Sequence, residues 1–280
     1  MKILILGNGY IAKRCTGAWQ GAVHDPSKIY TTGDMTTLLA RHTPDAVLNA
    51  AGVRGKPNVD WCESHQLETI TGNTALPIMI AEACQKRGVY LLHIGSGCIF
   101  YGRSPHPDGA WREDDFGNPK PVYSRAKWAA DLALSTLPNT GIARIRMPLD
   151  HVSSPDNLID KLASFKKVID VENSVTVVDD MVNVFHQLME KKGEGIFHVT
   201  NPGTLRHKEI IALYEKLVDP AHTNEWISDS DLVAQGLAKK GRSNNFLHSE
   251  RLEALGIRMR EAHEAVVDTM KRYAEERRKS

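Results

Sequence analysis

The 280-residue chain has only four cysteines, Cys15, Cys62, Cys84 and Cys98, at wide and irregular spacing. No Cys-x-x-Cys pair occurs, so neither a zinc site nor a disulfide framework is signalled. His65, His93 and the other histidines match no metal-ligand spacing, and no metal is expected. An excess of one charge is missing too. The 35 basic and 34 acidic residues leave a formal net charge of +1, with no global field to attract nucleic acid or a membrane. No apolar run approaches the ~20 residues of a membrane span. Gly7-Asn8-Gly9 interrupts the opening Met-Lys-Ile-Leu-Ile-Leu before a signal-peptide core forms. No internal repeat, low-complexity segment or clean linker stands out. These absences point to a cytoplasmic protein in a reducing compartment, built as one large or two modest domains.

What is present centres on Tyr123-Ser-Arg-Ala-Lys127. A tyrosine and a lysine four apart share one helix face. The ammonium is expected to draw the phenol pKa down from its ordinary ~10. Such a tyrosine can give a proton to an alkoxide that develops as hydride reaches a carbonyl. The motif alone also fits a solvated helix face, so its weight depends on its surroundings.

Those surroundings read as a nucleotide-binding sheet. Ile3–Leu6 is an unbroken apolar run, the pattern of a strand buried on both faces. Gly7-Asn8-Gly9-Tyr10-Ile11-Ala12 follows as a G-x-G-x-x-A turn, in which residues Gly7 to Ile11 would hold a dinucleotide diphosphate at a helix N-terminus. A second strand is expected near Ala22–His24. Beyond it Asp25 would suit a ribose 2′-hydroxyl and NAD(H), Lys28 a 2′-phosphate and NADP(H), and Asp34 either an adenine contact or a helix cap.

Ala46–Asn49 reads as the third strand, and the small residues Ala50, Ala51 and Gly52 at its end leave room for a cofactor. A helix over Leu67–Arg87 leads to a strand at Val89–Ile94 ending in Gly95-Ser96-Gly97-Cys98. Ser96 would be a second hydroxyl donor to the same oxyanion as Tyr123. Ile142–Ile145 is a fifth strand. Beyond it, helices at Asn157–Val168 and Asp179–Glu190 and strands at Val175–Val178 and Ile196–Val199 are expected, and residues 201–280 are mostly helical. The fold read from this order is α/β, a doubly wound parallel Rossmann sheet with a smaller, mainly helical C-terminal lobe. Residues 1–150 form the nucleotide-binding domain, completed by about 174–200, and 151–173 with 201–280 form the substrate lobe. Trp61 and Trp128 read as core residues.

With Gly7-x-Gly9, Ser96 and Tyr123-x-x-x-Lys127, the chain resembles the extended short-chain dehydrogenase/reductases acting on nucleotide sugars. Within them it is similar to the dTDP-4-dehydrorhamnose reductase group, and most narrowly to the bifunctional UDP-4-keto-6-deoxyglucose 3,5-epimerase/4-reductases. The runs Asn49–His65, Gly97-Cys-Ile-Phe100, Arg144-Ile-Arg-Met-Pro148, Asn201-Pro-Gly203 and Arg242-Ser-Asn-Asn245 carry that resemblance. The glycine turn is one residue shorter than the usual G-x-x-G-x-x-G, and Ser96 stands where threonine is common.

The resemblance implies a reductive triad of Ser96, Tyr123 and Lys127, and a proton-handling pair of Cys98 and Lys161 for epimerisation. Side chains alternate along an extended segment, so Cys98 is expected to share a cleft with Ser96. The resemblance also implies cofactor contacts from Asn73 and Met147, and substrate contacts from Arg54, Asn58, Arg242 and Asn245. For Arg242 the residue itself says only that arginine suits a diphosphate, and a solvated side chain reads as well. NADP(H) is expected as the preferred cofactor with NAD(H) usable, a nucleotide sugar as the substrate, and a homodimer is allowed. A reductase without epimerase activity and a non-catalytic dinucleotide-binding subunit are the alternatives.

Overall fold

We describe residues 1–56 and 58–279 of a computed structural model. Pro57, inside the Asn49–His65 run, lies outside the described residues.

Five parallel strands, β1 (Ile3–Leu6), β2 (Val23–Asp25), β3 (Ala46–Asn49), β4 (Tyr90–Ser96) and β5 (Thr140–Ile145), join the Gly195–Val199 strand in one six-stranded sheet. Across the sheet the order is β2, β1, β3, β4, β5 and then Gly195–Val199. Side chains alternate between its faces. Ile3 and Ile5 of β1 pack with Cys15 of α1 (Tyr10–Ala18), with Trp19 just beyond it, and with Val178, Met181, Phe185 and Leu188 of α7 (Val178–Lys191). Leu4 and Leu6 face the other way, onto Met35 and Leu38 of α2 (Thr32–His42), Ile80 and Cys84 of α4 (Leu76–Arg87) and Leu134 of α5 (Val122–Leu134). Helices thus cover both faces, which is why the strands read as continuous apolar runs.

The chain reverses direction across the sheet at β1, with β2 on one side and β3 on the other. In open α/β sheets a ligand crevice forms at such a switch, outside the carboxyl ends of the strands. Gly7, Ala50, Ser96 and Arg146 all follow or end parallel strands and so lie along that edge.

A second core joins Leu149, Leu158, Leu162, Ile210, Ile211, Tyr214, Val266, Met270 and Tyr273. It packs α6 (Leu158–Ser164) and α8 (His207–Leu217) against the Ala262–Lys279 helix. The expected helix over Asn157–Val168 stops at Ser164, and Val168 instead lies in a short strand, Lys167–Ile169, paired parallel with Glu225–Ile227. Leu205–Arg206 likewise pairs with Glu172–Asn173. The lobe therefore holds small strand pairs that local patterning does not show. The expected Leu67–Arg87 helix is α3 (Gln66–Ile70), a π-turn at Thr71–Ala75, and α4. Among the described residues no helix is long and apolar enough to cross a membrane.

Candidate active site

The turn after β1 is shaped by two glycines with different duties. Gly7 has φ +98°, and a Cβ there would lie 2.7 Å from Ala51 N and 2.8 Å from the Ala50 carbonyl. Only glycine lets β1 and the Ala50–Gly52 segment approach so closely. Gly9, the N-cap of α1, faces open space and has no side-chain cap, which leaves the first amides of the helix free for an anion. On Gly52 a Cβ would meet Asn73 Oδ1 at 3.0 Å and Lys127 Nζ at 3.7 Å. Asn73 sits in the π-turn and clamps Val53, accepting from its N–H at 3.2 Å and donating to its carbonyl at 2.5 Å. These residues fit a dinucleotide, with Gly7–Ile11 at its diphosphate and Ala50–Gly52 leading toward Lys127. Asn73 acts by holding that loop.

Asp25 is 8% exposed and its carboxylate serves the protein. It accepts from Ser27 N at 2.9 Å and pairs with His42 at 2.8 Å. Burial pushes its pKa up, but the Ser27 and His42 hydrogen bonds outweigh that and bring it down to about 2. Asp34 closes a capping box with Thr31, accepting from the Tyr30 and Thr31 amides at 2.9 Å, so the helix-cap role is the one its carboxylate fills. Lys28 is exposed in the loop after β2. The Tyr10 hydroxyl donates to Asp150, so only its backbone amide faces the turn.

Asp150, His151 and Asp179 come within 4.8 Å of one another, a grouping hidden from sequence spacing. Arg14 pairs with both carboxylates, at 2.6 and 2.9 Å, and Arg272 with Asp179. These cations and the Tyr10 hydroxyl offset the acids, and the group ties α1 to the C-terminal helix.

Ser96 ends β4, and Tyr123 and Lys127 project from the first turns of α5. Lys127 is 5% exposed and donates to the Ile94 carbonyl at 2.9 Å. Burial lowers its pKa to about 8, with the Asp131 carboxylate opposing. The expectation that Lys127 would lower the Tyr123 pKa is corrected. Burial, reinforced by the charge of Cys98, holds the phenol above its ordinary value, against the Ser96 hydroxyl in hydrogen-bonding reach. Desolvating a phenolate costs more here than its neighbours return. Tyr123 is therefore a protonated acid at neutral pH.

Cys98 is brought beside Ser96 by a 3₁₀ turn at Gly97–Ile99, not by strand alternation. The Ser96 hydroxyl caps that turn, accepting from Cys98 N at 3.2 Å. Arg146, which sequence reasoning passed over, places Nη1 2.9 Å from Cys98 Sγ. Burial pushes the thiol pKa up, but the Arg146 charge and bonds from Ser96, Ser243 and Arg146 outweigh it and lower the net value. Lys161, on α6, donates to the Asp156 carbonyl at 3.1 Å. Burial and then Arg54 lower its pKa, while Asp156 and Cys98 oppose. Cys98 and Tyr123 line one cleft, and the charge of Cys98 is felt at Lys161.

Cys98, Tyr123, Arg146, Met147 and Arg242 line that cleft. Met147 takes φ +46°, a strained conformation for a non-glycine residue, between Arg146 and Pro148. Arg242 is paired with Asp60 at 2.8 and 3.1 Å, and Arg54 with Asp156, so neither is a free solvated cation. Asn58 caps the Val59–Glu63 turn through Asp60 N at 2.8 Å and so sets the Asp60–Arg242 pair. Asn245 serves as a support through its amide nitrogen, while its Oδ1 has no hydrogen-bond partner among the described residues. It is 3% exposed, and its amide donates to the Gly97 and Phe100 carbonyls at 2.9 and 2.8 Å, fixing the Cys98 turn. Trp61 is half-buried outside the core, stacked on His65 with centroids 3.7 Å apart.

With this geometry in hand, comparison with known proteins decides the family. The profile described as RmlD substrate binding domain matches residues 24–275. The chain belongs to this family. Among RmlD-family relatives, a bifunctional dTDP-4-dehydrorhamnose 3,5-epimerase/dTDP-4-dehydrorhamnose reductase of Arabidopsis thaliana is 36% identical over 250 residues, covering 88% of this chain and 82% of the relative. A trifunctional UDP-glucose 4,6-dehydratase/UDP-4-keto-6-deoxy-D-glucose 3,5-epimerase/UDP-4-keto-L-rhamnose-reductase of the same plant is 30% identical, and the match spans 90% of this chain but 39% of that longer protein. The crystal structure of the L780 UDP-rhamnose synthase from Acanthamoeba polyphaga mimivirus superposes with a TM-score of 0.89 at 28% identity, covering 97% of this chain and 99% of that one. These relatives are named as enzymes.

Proposed function

We propose that this RmlD-family enzyme carries out 3,5-epimerisation and NADPH-dependent 4-keto reduction of a nucleotide 4-keto-6-deoxyglucose, UDP-linked, to give the nucleotide-linked L-rhamnose. The observation that carries the reading is a single cleft holding both a protonated Tyr123 and a Cys98 thiol lowered by Arg146. A plain ketone reductase needs only the first. The curated relatives' names divide between dTDP and UDP, and the closely superposed L780 structure is named a UDP-rhamnose synthase, which supports the uridine form.

When bound, NADPH supplies the hydride. NADP(H) is favoured because the Asp25 carboxylate is committed to Ser27 and His42, leaving no acid at the end of β2 to select NAD(H). Gly7–Ile11 would hold the diphosphate and Lys127 the end near Tyr123.

Carbons 3 and 5 flank the ketone, so their C–H bonds are acidified. Inverting each centre requires a base on one face and an acid on the other. The Cys98 thiolate takes the proton, the C–H electron pair moves to the carbon 4 oxygen as an enolate, and Ser96 and Tyr123 donate to that oxygen. Lys161, from α6 of the lobe, returns a proton from the other side. In the reductive step Tyr123 gives its proton to the carbon 4 alkoxide, and Lys127, one helix turn further along α5, is held on the Ile94 carbonyl.

Incubation with NADPH and the UDP- and dTDP-linked 4-keto-6-deoxyglucoses, followed by NMR identification of the product sugar, tests this. L-Rhamnose from the UDP substrate is expected. A product that keeps the gluco configuration at carbons 3 and 5 would reduce the assignment to a 4-ketoreductase.

A further inference from the structure

Arg144 and Arg146 stand two apart, and their surroundings differ in one respect. Arg144 is fully buried and neutralised by Asp131 at 2.8 Å. Arg146 is 6% exposed, and among the described residues no carboxylate pairs with it. Its Nη2 donates to Asn173 Oδ1 at 2.6 Å and to the Ser243 carbonyl, its backbone N–H to Thr176 Oγ1 at 2.9 Å, and its Nη1 lies 2.9 Å from Cys98 Sγ. Asn173 Oδ1 is itself held by the Asn245 N–H at 3.1 Å. A guanidinium cannot lose its proton at any ordinary pH, and a buried charge needs a counter-charge. Cys98 Sγ is the one group among these contacts that can acquire a negative charge.

We propose that Arg146 is a positioning residue whose counter-ion is the Cys98 thiolate. Neutral partners clamp the fork, and its unpaired charge keeps the sulfur ionised and aimed into the cleft. The proposal rests on the reading of Cys98 as the epimerisation base and adds what makes a cysteine basic there near neutral pH. Arg146 from the segment after β5, Ser96 from β4 and Ser243 from the C-terminal loop act on the sulfur, and its charge is felt at Tyr101 beyond the turn, Tyr123 of α5 and Lys161 of α6. Tyr101 is held up to about 12 by burial and by Cys98, and Tyr123 is also raised, so neither competes as an anion. Lys161 adds a second positive charge.

Alkylation of the full-length protein by iodoacetamide, a neutral reagent, reads the ionisation directly. The thiolate displaces iodide, a C–S bond forms as the C–I bond breaks, and the rate follows the thiolate fraction. Cys15, Cys62 and Cys84 are buried, and Cys98→Ala gives the blank. The wild-type rate–pH midpoint should lie below the ordinary ~8.5 of a thiol. In Arg146→Met it should rise, slowing alkylation at pH 7 about tenfold, with Arg146→Lys in between because charge without the fork restores only part. A wild-type midpoint at or above that of a free thiol overturns the proposal without any variant, as does an unmoved midpoint in folded Arg146→Met. Deuterium wash-in at carbons 3 and 5 by the wild type tests the epimerase reading separately. A low midpoint without wash-in would keep the Arg146–Cys98 pair and discard the epimerase.

Discussion

Tyr123 and Cys98 share a cleft yet ionise in opposite directions, because burial acts on both and only Cys98 has a buried cation within hydrogen-bond distance. Tyr123→Phe keeps the ring and removes the donor, so 4-keto reduction should fall by roughly 10²–10⁴-fold, the range of general acid catalysis. NADPH affinity, read by fluorescence titration, should change little. Asp25 gives a prediction in stability. Its folded pKa of about 2 lies below its unfolded value of ~3.9, so the ionised carboxylate stabilises the fold fully above that unfolded value and the contribution is lost as pH falls toward 2. Asp25→Asn should cost roughly 2 kcal/mol at neutral pH. The difference from wild type should shrink in urea melts below about pH 4. The placement of Ser96 at a strand end and of Tyr123 and Lys127 one turn apart on a helix was legible in the sequence, because local pattern sets it. Arg146 was not, since its partners lie 27 and 97 residues away and only the folded chain brings them to Cys98.

At the scale of elements, strands bounded by breakers were the easiest to read. β1 and β3 fall at the expected residues, because each is a short apolar run closed by glycine or small residues. The two- and three-residue strands of the lobe carry no such signal, and their pairings join segments far apart in the chain. The π-turn at Thr71–Ala75 was also invisible, because it exists to aim Asn73 at Val53. The two glycines of the first turn separate packing from binding. In Gly7→Ala the new Cβ meets the Ala50–Ala51 backbone at a positive φ, so the protein should lose about 1–3 kcal/mol and melt earlier. Gly9→Ala meets nothing in the protein and should melt like wild type while its NADPH dissociation constant rises. Calorimetry with and without NADPH distinguishes the two. Equal destabilisation in both variants would contradict this account of the turn.

At the scale of the whole molecule, Cys98 after β4 and Tyr123 of α5 share one cleft with Ile169, Asn173, His207 and the Lys240–Asn244 segment. The reading of a Rossmann sheet with an added lobe could be made from strand order alone. How the lobe contributes could not, because Asn245 acts on the Gly97 carbonyl from 148 residues away. On the proposed function, one cleft performs two separable chemistries. The most direct test follows a nucleotide 4-keto-6-deoxyglucose with NADPH in heavy water and reads deuterium at carbons 3 and 5 alongside NADPH oxidation. Tyr123→Phe should exchange deuterium while barely oxidising NADPH, and Cys98→Ala should lose exchange while still reducing the unepimerised ketone slowly. Deuterium incorporation at the wild-type rate in Cys98→Ala would contradict the account.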